Sequence, residues 1–290
     1  MGVGQSSSTL NAKVKKFIEE QSFGVTEQER RKAFDCALLS NHVYDGKGWL
    51  PFGWTVHHKA MKKLKSIIDV TSDFHFMVYE KSGQLIVAFC GTRSIMSAVE
   101  SVVQVSGTSL SYGRAISIAR AVVGSYGVSK VLFTGHSLGG GLAQAAALAT
   151  GAPAITFNPT WLSNATLIQL PQAKTPDIKN YVTFFEPLDV IHRFPELLER
   201  MHGTIIASIA IKVVEQLKPF GTFKYLYSPV VTDAKQYSEA HGIGLMVKLL
   251  SIIDLGARPS ASQAERYVDT FVEGFGHYML SVGKNALAPR

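Results

Sequence analysis

Residues 130–141 read KVLFTGHSLGGG, and within them Gly135-His136-Ser137-Leu138-Gly139 satisfies the pattern G-x-S-x-G. On this composition the bare pattern arises by chance roughly 0.2 times per chain, so its context has to carry the reading. An apolar strand runs into the motif and a small-residue helix, Leu142 to Ala149, runs out of it. That is the strand-turn-helix setting of a nucleophile elbow. Ser137 is therefore predicted on a sharp, strained turn, with glycine on either side letting the backbone pass close to its neighbours. The start of the following helix would aim N–H groups and the positive end of its dipole at negative charge forming beside the serine.

A serine hydroxyl is a weak nucleophile at neutral pH, so such a site also needs a base, an acid to orient the base, and donors for an oxyanion. One donor is expected from the backbone N–H of Leu138, the residue after the nucleophile. The second is expected from Cys90-Gly91-Thr92-Arg93, at the end of the strand-like LIVAFC, with Thr92 as donor. In the elbow arrangement the acid and then the base follow the serine along the chain, on loops after later strands. Asp177, Glu186, Asp189 and Asp233 are the candidate acids, and His192, His202, His241 and His277 the candidate bases. Asp189 leads the acids because it lies just past the strand NYVTFF, where the carboxyl edge of a sheet should be. Glu186, at the start of the same loop, is second. His192 is too close to Asp189 in sequence to come from a separate loop and is assigned a structural or surface role. His241 leads the bases because its tether from Asp189 is long enough to return to the serine, with His277 in reserve. His136 points away from the serine by alternation and is read as a packing residue with one satisfied ring nitrogen. His57 and His58 are adjacent, without an HExxH pattern or a carboxylate at ligand spacing, so no metal site is expected.

The elements that must hold these residues follow from periodicity. Glu27 to Tyr44 carries a helix-like stripe at Ala33, Phe34, Ala37, Leu38 and Leu39, ending near Asp45-Gly46. His75 to Glu80 and Gln84 to Cys90 are predicted strands joined by a Lys81-Ser82-Gly83 hairpin turn. The second is apolar on both faces, as in the middle of a helix-covered sheet. Helix at about 111–125, strand at 130–134, helix at 138–150 and strands at 153–157 and 180–185 complete an α/β pattern with a sheet parallel in its centre. Beyond residue 195 the chain reads as helical, with stripes at Ile205, Ile209, Val213, Leu217 and at Ile243, Val247, Leu250, Ile253. No linker divides the chain. One domain over 27–290 is expected after a flexible N-terminal segment, 1–26.

The 290 residues are 46% hydrophobic, 10% aromatic and 18% charged, an ordinary globular composition able to bury one sizeable core. The 25 Gly and 11 Pro show no period, which excludes collagen-like, solenoid and low-complexity architectures. The net charge of +7 suits anionic partners. Nucleic acid is not expected among them, because no recognised motif or aromatic-interleaved basic run accompanies the charge. Two cysteines, Cys36 and Cys90, fit neither a disulfide scaffold nor a metal-ligand spacing. No signal peptide and no membrane span is expected, while MGVGQS fits the loose N-acylation pattern at Gly2.

The set LIVAFCGTRS, TGHSLGGGLAQAAA, a Pro-Leu-Asp-Val segment and a late His-Gly-Ile resembles the class 3 lipases of the α/β-hydrolase superfamily. Within that group it is most similar to bacterial phospholipase A1-type enzymes and the lipase effectors of contact-dependent secretion systems. The likeness covers roughly residues 30–255, from ALLSNHVYDGKGW through ATGAPAITFNPTWLSNATL. It implies an α/β-hydrolase fold with Ser137 as nucleophile, Asp189 as acid, His241 as base, and Thr92 with Leu138 as the oxyanion hole. It further implies hydrolysis of acyl esters of glycerophospholipids at a membrane surface, without a cofactor. Export by a specialised secretion system and a cognate immunity protein are implied if the chain is an effector. Neutral or soluble esters are the alternative substrates, and a catalytically silent binding scaffold the alternative class. Two departures stand out. Cys90 occupies the place of an arginine usual before the oxyanion Gly-Thr, and Ile95-Met96-Ser97-Ala98 replaces a usual Asp-Trp pair, so residues 94–106 are a candidate lid.

Overall fold

The structure, a computed structural model, describes residues 12–13, 15–21, 25–67, 74–92, 110–171, 175–184, 186–195, 212, 214–228, 240–251, 260 and 262–263. Helix α1 (Glu27–His42) begins with a capping box, in which Thr26 accepts from the Glu29 N–H and the Glu29 carboxylate accepts from the Thr26 N–H. It buries Ala33, Cys36, Ala37 and Leu39. Strand β1 (Thr55–Val56) and helix α2 (His58–Ile67) lead to the hairpin of β2 (Phe76–Lys81) and β3 (Gln84–Phe89), which turns through Ser82 and Gly83, both at positive φ. Helix α3 (Leu110–Tyr126) returns to β4 (Val131–His136), every residue of which is buried. After β4 come α4 (Leu138–Thr150), β5 (Ala154–Phe157), β6 (Leu162–Ser163), α5 (Asn164–Ile168), β7 (Ile178–Thr183) and α6 (Pro187–Arg193). Strands β8 (Leu217–Lys218) and β9 (Thr222–Leu226) precede α7 (Ile243–Ser251).

The main sheet has the order β1-β2-β3-β4-β5-β7-β9. Its β3, β4, β5, β7 and β9 run parallel, and β1 and β2 extend it antiparallel. Pleating divides the core in two. Leu85, Val87 and Phe89 of β3 pack with α2, α3 and α4, whereas Ile86 and Ala88 pack with α1 and α7. This is the mostly parallel, doubly covered sheet of the α/β-hydrolase fold. β9 corrects the expectation of an all-helical chain beyond residue 195. Leu217, placed by period in a helical stripe, lies in β8, and Gly221 at φ +82° turns the chain into an edge strand. Within the segment expected to be flexible, residues 15–20 are helical, and Phe17 packs against Phe184, Phe194 and Tyr225. The candidate lid at 94–106 lies outside the described residues.

Candidate active site

The parallel strands bring their carboxyl ends to one edge, so residues far apart in sequence meet there. Gly91-Thr92 follow β3, Ser137 follows β4, Asn158 follows β5 and Glu186 lies beyond β7. Ser137 sits at φ 59° and ψ −127°, a left-handed conformation that a non-glycine residue adopts only when its surroundings impose it. Those surroundings are visible. The Ser137 N–H donates to the Phe157 carbonyl at 3.0 Å, and the Ser137 carbonyl accepts from Thr160, Gly140 and Gly141. Close approach also fixes the glycines: a Cβ on Gly139 would overlap the Phe89 carbonyl, and one on Gly135 would overlap Gly139. The start of α4 thus presses against the end of β3, and a Cβ on Gly91 would come within 3.3 Å of the Ser137 Cβ. Gly91, at the end of β3, and Leu138, the residue after the serine, therefore both adjoin Ser137.

His241 is buried immediately before α7, its ring centroid 4.8 Å from that of His136. Its Nδ1 lies 2.7 Å from Glu186 Oε2. In the tautomer that leaves Nε2 free to take a proton, Nδ1–H donates to the Glu186 carboxylate. Ser137 Oγ and His241 Nε2 are both buried without a hydrogen-bond partner among the described residues. A buried polar atom left open at such a place calls for an explanation, and a reacting substrate supplies one. Burial lowers the His241 pKa to about 4, keeping the imidazole neutral and able to accept. Burial also pushes Glu186 up to about 8, against the pull of N–H donors from Leu188 and Asp189. Those donors exist because Glu186 is the N-cap of α6, with Pro187 in the first turn.

The leading acid of the sequence reading is elsewhere. Asp189 does not meet His241; both its oxygens bind Arg193 Nε, at 2.9 and 3.0 Å, and the Tyr225 hydroxyl, at 3.2 and 3.1 Å. Three residues into α6 is nearly a full turn, and the N3 position turns Asp189 toward the residue four further on. The carboxylate beside His241 is Glu186, the second choice among the acids. Asp177 is exposed at the opposite end of β7. Asp233, His202 and His277 lie outside the described residues. His192 is buried against Trp161, with ring centroids 4.8 Å apart, and so belongs to the interior rather than the surface.

Two residues that sequence reasoning missed hold the site together. The Tyr44 hydroxyl accepts from the Gly91 N–H and bonds His136 Nδ1 at 2.8 Å. His136 Nε2–H then donates to the His241 carbonyl at 2.6 Å, so both ring nitrogens of His136 are satisfied, not one. Asn158, at φ 42°, donates to the same carbonyl at 2.9 Å while its side-chain oxygen accepts from the Thr183 N–H. A single chain of hydrogen bonds therefore runs from Gly91 through Tyr44 and His136 of the elbow to His241 and Glu186. Cys90, in the place of the family arginine, is half-buried and donates to the Gly91 carbonyl at 3.3 Å. Among the described residues no cluster of three or more His, Cys, Asp or Glu could hold a metal ion.

The chain is 34% identical over 155 residues to the extracellular phospholipase A1 of Serratia liquefaciens, a match over 51% of this chain and 48% of that one. The chain thus spans about half the length of that relative. Among solved structures it is similar to lipase II from Rhizopus niveus, with 15% identity and a TM-score of 0.42 over 58% of this chain and 77% of that one. It is also similar to a triacylglycerol lipase from Penicillium expansum, with 15% identity and a TM-score of 0.41 over 82% and 92% of the two chains. Residues 35–224, from α1 through β9 and including the elbow and Glu186, match the phospholipase-like family described as the Tle-like phospholipase domain, and the chain belongs to that family.

Proposed function

We propose that the chain is a serine ester hydrolase that cleaves acyl esters of glycerophospholipids through an acyl-enzyme. The observation that carries this reading is the buried His241–Glu186 pair, with His241 packed against His136 of the elbow and with Ser137 Oγ and His241 Nε2 both without a hydrogen-bond partner among the described residues. Family membership and the name of the Serratia relative support the substrate class. In the first half-reaction Ser137 Oγ attacks the ester carbonyl and its proton passes to His241 Nε2. Glu186 stabilises the imidazolium so formed, and the N–H groups of Leu138 and Thr92 receive the oxyanion. Collapse breaks the ester C–O bond, and His241 returns the proton to the departing lysophospholipid oxygen. In the second half-reaction water loses a proton to His241 and attacks the acyl-Ser137 carbonyl, releasing the fatty acid and restoring the serine.

The same proposal places the protein on the membrane surface as a peripheral enzyme. No helix among the described residues is long and apolar enough to cross a membrane, and the net charge of +7 favours an anionic surface. The extracellular name of the relative favours action outside the producing cell as a secreted effector, in which case an immunity protein would cover the site in that cell. The test is fatty-acid release from phosphatidylethanolamine–phosphatidylglycerol vesicles by the native chain and by Ser137→Ala. Release by the native chain alone supports the proposal. Equal release by both, or by neither, overturns it.

A further inference from the structure

Asp189, relieved of the acid role, is left with an elaborate setting to account for. It is 5% exposed and sits in the first turn of α6, and its own N–H is bonded to Glu186 Oε1 at 2.5 Å. Whatever moves Asp189 moves the acid. Its carboxylate is closed on one side by the Tyr225 hydroxyl and on the other by Arg193, one turn further along the helix. The Arg193 guanidinium lies 4.8 Å from the Phe17 ring, 4.9 Å from Phe223, 5.3 Å from Trp161 and 5.5 Å from Tyr225. A cation held among aromatic faces and paired with one carboxylate keeps a fixed position at little rotamer freedom. Phe17 comes from the helical stretch at residues 15–20, so the N-terminal segment reaches the underside of the acid's own helix.

The charges make this arrangement more than a brace. Asp189 and Glu186 are carboxylates at the N3 and N-cap positions of one helix; burial first, and then the like charge of Glu186, raises the pKa of Asp189 against the pull of Arg193. Around Asp189 stand Arg193, Tyr225 and Glu186; the neighbouring His192 is held neutral by burial and by the charge of Arg193. Arg193 is the cation that balances the extra carboxylate.

Resting on the hydrolase reading above, we propose that Arg193 is a positioning residue for catalysis: with Phe17 closing over it, it cancels the charge of Asp189 and fixes the first turn of α6, so that Glu186 alone acts on His241. Asp189 is then the partner that holds Arg193 in place, and the N-terminal stretch is part of the working site.

The experiment compares Arg193→Met, Asp189→Asn, the double variant and Phe17→Ala with the native protein. It reads kcat, KM and the acid limb of the pH profile on p-nitrophenyl butyrate, with a thermal melt of each protein. Labelling of the native Ser137 by a fluorophosphonate is measured first, so that failure of the hydrolase reading is seen separately. Arg193→Met leaves Asp189 unbalanced, and a nearby negative charge favours protonated His241. The expected result is a fall in kcat of about tenfold, KM within about twofold, and an acid limb moved to higher pH by about half a unit or more. Asp189→Asn leaves the cation unbalanced and moves the limb the other way. The double variant removes both charges, and kcat returns to within about threefold of native with the limb restored. Phe17→Ala opens the clamp to water and shifts the limb in the direction of Arg193→Met by less. A double variant no better than Arg193→Met, or single variants that lower kcat with the limb unmoved, would show a brace without the electrostatic role and overturn the proposal. A Phe17→Ala protein with unchanged kcat and limb would overturn the part assigned to the N-terminal stretch.

Discussion

Replacing Glu186 by glutamine removes one charge from a buried pair and tests the acid assignment against its nearest rival. His241 Nδ1 and Glu186 Oε2 are 2.7 Å apart, which puts the charge centres about 4 Å apart once the imidazole is protonated. At an effective dielectric of about 20 that attraction is roughly 4 kcal/mol. It exists only while His241 carries the serine proton, so its loss falls on the transition state and lowers kcat by about 10³-fold. Geometry adds to the loss. Glu186 Oε1 accepts from the Asp189 N–H and Oε2 from the Leu188 N–H and His241, so a glutamine amide nitrogen meets a donor in either orientation. Asp189→Asn, by contrast, retains kcat within about tenfold because that side chain never meets the base. The assay is steady-state hydrolysis of p-nitrophenyl butyrate at pH 8, with circular dichroism confirming that both variants fold. Loss of about 10³-fold in Asp189→Asn with near-native activity in Glu186→Gln would refute the assignment.

Three further outcomes follow from the same geometry. Burial lowers His136 and His192 to about 3 and His241 to about 4, so the unfolded chain takes up protons below pH 6.5 that the folded chain refuses. Glu186, raised to about 8, acts in the opposite sense above pH 4.5 and offsets about one histidine. Stability should fall by roughly 3 kcal/mol in all from pH 7 to 5, and urea midpoints unchanged over that range would contradict this. Tyr44→Phe strands the Gly91 N–H and His136 Nδ1 together; it should cost about 1–3 kcal/mol in urea unfolding and lower kcat more than it raises KM. Gly139→Ala forces a methyl into the Phe89 carbonyl; it should destabilise by about 3 kcal/mol or more, and a native-like melting temperature would mean the elbow is looser than described.

Much of the frame was legible because its signals are local. The elbow announces itself through small residues where backbones touch, and β4 and α4 through their flanks. The sheet follows from strands apolar on both faces, and the hairpin at Lys81-Ser82-Gly83 from its turn residues. The carboxylate that meets His241 lies three residues before Asp189, a difference that one helix turn decides. The Asp189 to Arg193 spacing is that of an i,i+4 ion pair, and Glu-Pro is a helix start with an N-cap carboxylate. Both signals were present, and together they point to Glu186. Strand β9 was hidden by an apolar period that runs up to Leu217 and favours a helix, while Gly221 and the aromatic TFKYL argue for an edge strand. Tyr44 and Asn158 had no local signal at all. Their partners lie 92 and 83 residues away in the chain, and only the closed fold brings them together.

The most direct test of the central claim is to catch the covalent intermediate. The native protein is mixed with phosphatidylglycerol vesicles, quenched in acid within the first turnovers, digested, and the peptide containing Ser137 is weighed. The account predicts that peptide with one fatty-acyl group added at Ser137, on a timescale matching lysophospholipid release. Release of lysophospholipid with the Ser137 peptide unmodified throughout, or an acyl group on another residue, would contradict it.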